Sequence, residues 1–230
     1  MEDALANAEN EDMIVINLMD ILGAVKEEEI VEGMEHSHDH DEAHVEDHDT
    51  HDEHIWLSLK NAGEICSYIG QQLGAVDSDH KAVYLANTES YVARLKELDA
   101  EYQSAVDSAS YDTLLFADRF PFRYLVDDYD ISYFAAFSGC SAETEASFET
   151  IAFLAGKMEE LNLFHVMVIE GADHSIANTV IQNIATKEQS ILEINSMQSI
   201  TSGNVEAGAT YLSIMESNLE VLKEALKGKE

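Results

Sequence analysis

Short, near-continuous apolar runs recur along this chain, and they constrain its fold more than any other feature. The runs are Met13 to Leu18, Thr113 to Phe116, Ile131 to Phe137, Phe164 to Ile169 and Ser190 to Ile194. A strand with one face in water alternates apolar and polar residues, whereas a strand covered on both faces need not. Longer segments with helical spacing separate the runs. That alternation is the pattern of an α/β fold in which helices flank a parallel-type sheet.

The intervening segments support the reading. Tyr84, Thr88, Tyr91, Leu95, Leu98 and Tyr102 fall on one helical face, with Arg94, Lys96, Glu97 and Asp99 elsewhere on the turn. A second helix is expected from Ser141, where Ser141 and Thr144 offer N-cap chemistry and Glu143 and Glu145 suit the positive end of the dipole. It would bury Phe148, Ile151, Leu154, Ala155, Met158 and Leu161. A third helix closes the chain through Tyr211, Ile214, Met215, Leu219, Leu222 and Leu226, with Lys223 and Lys227 at its negative end. The only proline is Pro121 and Gly/Ser-rich linkers are missing, so two lobes would be joined by a structured element. The expected division is an amino-terminal part over 1–140, a linking helix over 141–162 and a carboxy-terminal lobe over 163–230.

A chain of 230 residues that is 46% hydrophobic is long enough for one large domain or two small lobes. Its apolar runs are far shorter than the ~20 residues that cross a bilayer. Lys and Arg number 12 against 46 Asp and Glu, a formal charge of -34. Such a surface repels nucleic acid and anionic lipid and concentrates cations, although solubility or adaptation to salt explains acidity equally well. Cys66 and Cys140 lie outside any CxxC spacing, which gives neither a disulfide framework nor a cysteine zinc finger. Met1-Glu2-Asp3 opens the chain without a basic or apolar leader, so a secretion signal is not expected within it.

One stretch differs from the rest. His36, His38, His40, His44, His48, His51 and His54 are seven of the ten histidines, and eight Asp or Glu residues share their window. Neutral imidazole is a good ligand for Zn²⁺, and neighbouring carboxylates supply oxygens or orient ring N–H groups. Copper and nickel suit the same donors, so the residues do not choose the metal alone. The tract over 35–54 has no apolar periodicity and too much charge to pack, which predicts a loop offering several exchanging sites. A solvated spacer is the bland alternative, but the histidines are internal and interleaved with acids, unlike a tag.

After the tract come Asp52-Glu53-His54-Ile55-Trp56-Leu57-Ser58 and Asn61-Ala62. The Asp-x-His-x-Trp-x-Ser pattern behind an acidic, histidine-rich loop resembles the zinc-binding receptors of ABC transporters, the ZnuA-like or cluster A-I family. Further segments follow in the family's order. Tyr84 to Leu98 resembles its Tyr-x-x-Asn, Tyr and Leu-x-x-Leu segment, and Phe116 to Tyr124 its Phe-His-Asp-Ala-Phe segment. Gly139 to Glu145 stands where the family has Ser-Pro-x-x-Glu-Pro, and Gly208 to Met215 matches its Gly-x-x-Tyr-x-x-x-Met helix. The resemblance spans roughly residues 13 to 227. It implies two α/β lobes joined by a long helix, Zn²⁺ held in the cleft between them, an ABC permease as partner, and an extracytoplasmic or lipid-anchored location.

Three departures bear on the site. The family's amino-terminal portion, with its first cleft histidine, has no counterpart before Met1, so a truncated receptor with an incomplete amino-terminal lobe is expected. Ala117 stands where the resemblance implies a cleft histidine, and Gln198 about where it implies a Glu or Asp ligand. Of the implied cleft set, His54 carries over. Asp118, Cys140, Glu143, Glu170 and His174 are candidate replacements, each with an ordinary structural alternative. His80 and His165 read as a surface residue and a partly packed one.

Catalytic signatures are missing: there is no His-Glu-x-x-His, no Gly-x-Ser-x-Gly and no phosphate-binding Gly-x-x-x-x-Gly-Lys-Ser/Thr. A zinc receptor feeding an importer is therefore expected. A metal buffer or chaperone that uses the loop without a high-affinity cleft is the alternative. Histidine ligation makes a pH prediction, because protonation near pH ~6.5 removes the lone pair a metal needs. Zinc retention measured by equilibrium dialysis should fall sharply below about pH 6, and undiminished retention at pH 5 would rule against imidazole as the ligand.

Overall fold

The computed structural model describes residues 13–23, 25–35, 51–141 and 145–228. A single helical turn, α1 (Leu18–Ile21), is capped by the Asn17 side chain. The 3₁₀ turn Ile55–Leu57 leads into α2 (Leu59–Val76), where Ser58 Oγ accepts from Asn61 N as the N-cap. A second 3₁₀ turn, Ser78–His80, precedes α3 (Lys81–Asp107). The remaining elements alternate: β1 (Thr113–Phe120), α4 (Arg123–Asp128), β2 (Ser132–Ser138), α5 (Phe148–Glu160), β3 (His165–Ile169), α6 (Ser175–Gln182) and β4 (Ser190–Ile194). Two helices close the chain, α7 (Ser202–Glu206) and α8 (Tyr211–Ala225), each begun by a threonine capping box.

The four strands pair in parallel, in the order β2-β1-β3-β4. The expected α/β class and parallel sheet are present, and four of the five apolar runs are its strands. Both faces are covered, which explains why those runs do not alternate. Leu114 and Phe116 of β1, with Met167 and Ile169 of β3, pack with Leu95, Leu98 and Tyr102 of α3 and Met215, Leu219 and Leu222 of α8. Their neighbours in sequence, Leu115, Ala117, Val166 and Val168, face the other way, onto Leu154 and Met158 of α5 and Val180 of α6. Tyr102 is fully buried, and its hydroxyl donates to Met215 O at 2.7 Å while its ring stacks on Tyr129.

Two expectations need correction. Met13 to Leu18 is not a strand. Met13, Ile14 and Val15 are exposed, and with no neighbouring strand among the described residues to complete a ladder the segment runs irregularly into α1. The helix expected from Ser141 begins instead at Phe148, because Ser147 takes the extended backbone of an N-cap and accepts from Thr150 N at 3.1 Å. Phe148 is consequently 76% exposed rather than buried. That helix connects β2 and β3 of one sheet, and the longest helix among the described residues is α3 with 27 residues.

Residues 25–35 form a strap along the outer edge of β2. Glu35 N donates to Ala136 O at 2.8 Å, and Glu35 Oε2 accepts from Ser147 N at 2.9 Å and Thr150 Oγ1 at 2.8 Å. Gly33 turns with a positive φ of 85° where a Cβ would overlap the Phe153 ring. Lys26 O accepts from Asp52 N at 2.8 Å, and Glu27 forms an isolated bridge with His51. Residues on either side of 36–50 are thus tied to the body of the protein.

The core assignment is checked by truncation. Leu222→Ala removes a fully buried side chain between α8 and the sheet and should cost about 2–5 kcal/mol in urea denaturation. Leu85→Ala on α3, where Leu85 is 38% exposed, should change stability by less than about 0.5 kcal/mol.

Candidate metal centre

His54 stands at the entry to the 3₁₀ turn, which directs its ring inward: the residue is 4% exposed and Asp52 is 3% exposed. One carboxylate oxygen, Asp52 Oδ1, meets both His54 N at 2.8 Å and His54 Nδ1 at 2.9 Å. A carboxylate only accepts, so in the neutral ring Nδ1 carries the proton and Nε2 keeps its lone pair, the tautomer that ligates metal. Asp52 is fixed in turn, since its carbonyl accepts from Tyr124 Oη at 2.9 Å and Tyr124 Oη accepts from Lys26 N.

The ring is enclosed by groups from elsewhere in the chain. Trp56 sits edge-on to it with centroids 5.4 Å apart. Trp56 Nε1 donates to Ser196 O at 3.0 Å and Trp56 O accepts from Tyr211 Oη at 2.7 Å, tying the turn to the loop after β4 and to α8. Gly139, beyond β2, approaches so closely that a Cβ would lie 2.9 Å from Phe120 O and 3.0 Å from His54 Cε1. Gln198 Nε2 lies against His54 Nε2, where an amide N–H donates into the lone pair.

Among the other candidate ligands, Asp118 and Glu170 have their carboxylate oxygens engaged. Asp118 Oδ1 accepts from Arg119 N at 2.7 Å and Oδ2 from Ile169 N at 3.2 Å. Glu170 accepts from Ser196 N at 2.7 Å, Ser196 Oγ at 2.9 Å and Ser199 N at 3.4 Å, so it builds the turn that carries Gln198. His174 has a left-handed backbone, φ 61°, at the start of α6 and shares a cavity of ≈ 260 Å³ with Ala117, Asp118, Arg119 and Asp173. Cys140 is exposed as a residue, and partial desolvation of its thiol, then the charges of Glu28, Glu53 and Asp52, push it up to about 11. His51 is at the Glu27 bridge. His36, His38, His40, His44, His48 and Glu143 lie outside the described residues. Among the described residues, no group of three or more His, Cys, Asp or Glu is placed to hold a metal ion.

Sequence reasoning named His54 but missed Asp52 as its orienting partner and Gly139 as the residue that admits it. The Asp-x-His spacing held the first signal, and the second arises only from packing.

Comparison with known proteins decides the family. The family model described as "Zinc-uptake complex component A periplasmic", ZnuA, matches residues 1–225. The chain belongs to the ZnuA family. It is 29% identical over 192 residues to the zinc-binding lipoprotein AdcA of Streptococcus pneumoniae, covering 84% of this chain and 37% of that protein. It is 28% identical over 175 residues to the high-affinity zinc uptake system protein ZnuA of Bacillus subtilis, covering 76% and 53%. The chain thus spans about a third to a half of the length of these relatives. Among solved structures, the Zn(II)-bound ZnuA-like domain of S. pneumoniae AdcA superposes with a TM-score of 0.64 at 28% identity over 77% of this chain and 65% of that one. The metal-dependent lipoprotein YcdH of B. subtilis gives 0.66 at 26% identity, again over 77% and 65%. Names of these ZnuA-family relatives describe zinc binding and uptake rather than catalysis. No helix among the described residues is long and apolar enough to cross a membrane.

The tight seat of His54 is testable by substitution. Gly139→Ala should destabilise the protein by about 1–3 kcal/mol through overpacking and shift the emission of Trp56, the single tryptophan. Gly63→Ala, in the interior of α2 with Val92 Cγ1 3.9 Å from its would-be Cβ, should be neutral or stabilising by up to about 1 kcal/mol.

Proposed function

We propose that this ZnuA-family chain captures Zn²⁺ and passes it to the permease of an ABC importer outside the cytoplasm, with the tract from His36 to His51 as its recruiting element. The observation that carries the reading is the Asp52–His54 pair, which presents a buried imidazole with Nε2 as the lone-pair nitrogen directly after the tract. Fixing Nδ1–H on a carboxylate is how ligating histidines are oriented and made more basic. Zinc is the fitting cation because the donors are imidazoles with carboxylate support, and zinc binding is named in the relatives.

The tethers at Glu35 and at Asp52 support recruitment near His54, because they keep both ends of the tract on the same side of the molecule as the strap. We assign the lobe-joining role to α3, which precedes the sheet, so that residues 113–228 constitute the carboxy-terminal lobe. One observation favours a second reading, a metal buffer that relies on the tract alone: among the described residues, no group of three or more His, Cys, Asp or Glu is gathered at His54 to hold a metal ion.

Calorimetric titration with zinc chloride separates the two. One tight site that survives conversion of His36, His38, His40, His44 and His48 to Ser but is lost in His54→Ala indicates a receptor with a working cleft. Weak sites alone, abolished by the tract substitutions and indifferent to His54→Ala, indicate a buffer. A wild-type chain that retains no zinc at neutral pH after dialysis would sink both.

A further inference from the structure

Gln198 occupies the atom by which His54 would ligate. A neutral imidazole has one N–H proton, and Asp52 Oδ1, which can only accept, places it at Nδ1. Any polar group packed against Nε2 must therefore donate to the lone pair, and Gln198 Nε2 does so. A metal ion and this amide N–H compete for the same electron pair.

The amide is held there by its own turn. Met197 adopts a left-handed backbone, φ 61°, which turns the chain between Ser196 and Gln198. Glu170 grips the turn from below through Ser196 and Ser199. Asn218, 2% exposed on α8, grips it from the side, donating to Asn195 O at 2.8 Å and accepting from Asn195 N at 2.9 Å. Trp56 Nε1 joins the turn to the segment that carries His54. Both partners of the Gln198–His54 contact are thus held by bonds other than the contact itself, which does not depend on either side chain finding the other from solvent.

We infer that Gln198 sets the zinc threshold at His54: its amide must leave Nε2 before the imidazole takes a cation, and, being neutral, it supplies no anionic oxygen in exchange. This rests on the zinc-capture reading but concerns a different residue and a different observable. At low zinc the tract fills first, and His54 takes the ion only when the amide has been displaced. Replacing the amide by a carboxylate turns a competitor into a second ligand. Removing it frees the lone pair without adding a ligand.

The test is zinc chloride titration of the full chain followed by long-range ¹H–¹⁵N correlation of the histidine rings, which reads His54 Nε2 apart from the tract. In the wild type, the tract imidazoles are expected to shift before His54. Gln198→Ala should lower the His54 midpoint by about two- to tenfold, the release of one hydrogen bond. Gln198→Glu should lower it by more than about tenfold. A His54 midpoint that is unchanged or higher in either variant overturns the inference, a rise in Gln198→Ala meaning that the amide oxygen is itself a ligand. Should a variant misfold by near-ultraviolet circular dichroism, the wild type still decides: a nuclear Overhauser contact between the Gln198 amide and the His54 ring must be present without zinc and vanish as Nε2 shifts, and its persistence in the zinc-loaded state also overturns the inference. Tract histidines that ignore zinc would remove the recruitment reading while leaving the His54 midpoints to judge Gln198.

Discussion

Two-sided burial of β1 and β3 is the constraint on which the rest of the structure depends. Consecutive residues of each strand enter opposite cores, so neither strand can slip by one position without exchanging its whole apolar set between them. Because all four strands are parallel, their carboxyl ends share one edge, and the loops leaving them converge there. Pro121 follows β1, Gly139 follows β2, Glu170 closes β3 and Gln198 follows β4. His54 meets Gly139 and Gln198 directly, and Glu170 acts on it through Ser196. The surroundings of one imidazole are thus an outcome of sheet register.

The same edge shows why carboxylates near a cleft are poor guides to ligands. Parallel strands end with backbone N–H groups that the ladder no longer satisfies, and burial makes an unpaired donor costly. Asp118 answers Ile169 N across from β1 to β3, and Glu170 answers Ser196 N and Ser199 N beyond β4. Each carboxylate carries a backbone load that a cation would have to displace. His54 is different because its structural bond uses Nδ1 and leaves the other nitrogen for chemistry.

What was legible in the sequence follows the range of the interactions involved. Apolar runs reported β1 to β4 because burial on both faces leaves a local compositional trace, and they misreported Met13 to Leu18 because a strand also needs a neighbour, which composition cannot supply. Ser141 and Ser147 both offer N-cap chemistry, and the choice of Ser147 depends on Glu35, far away in sequence, accepting from its N–H. His54 was legible from the motif around it. The Gln198 contact was foreshadowed only as a departure from an implied carboxylate, since residues so far apart meet through the sheet and not through any local pattern. Gly139 gave no signal, because a glycine required for close approach looks in sequence like a glycine required for a turn.

The exchange of a carboxylate for an amide at Gln198 also separates two sources of cation affinity. The chain has a formal charge of -34, so it does not lack negative potential, and one more acid would alter the total little. Screening confines each surface charge to about 8 Å at physiological ionic strength, and such a field raises the local concentration of any cation without choosing among them. Selection and retention require donor atoms in contact with the ion, within ~2.0–2.3 Å for zinc. At His54 the contacting position is held by a neutral amide whose nitrogen can only donate. The acidic surface therefore draws divalent ions toward the molecule, while the group pressed against Nε2 governs whether one of them stays.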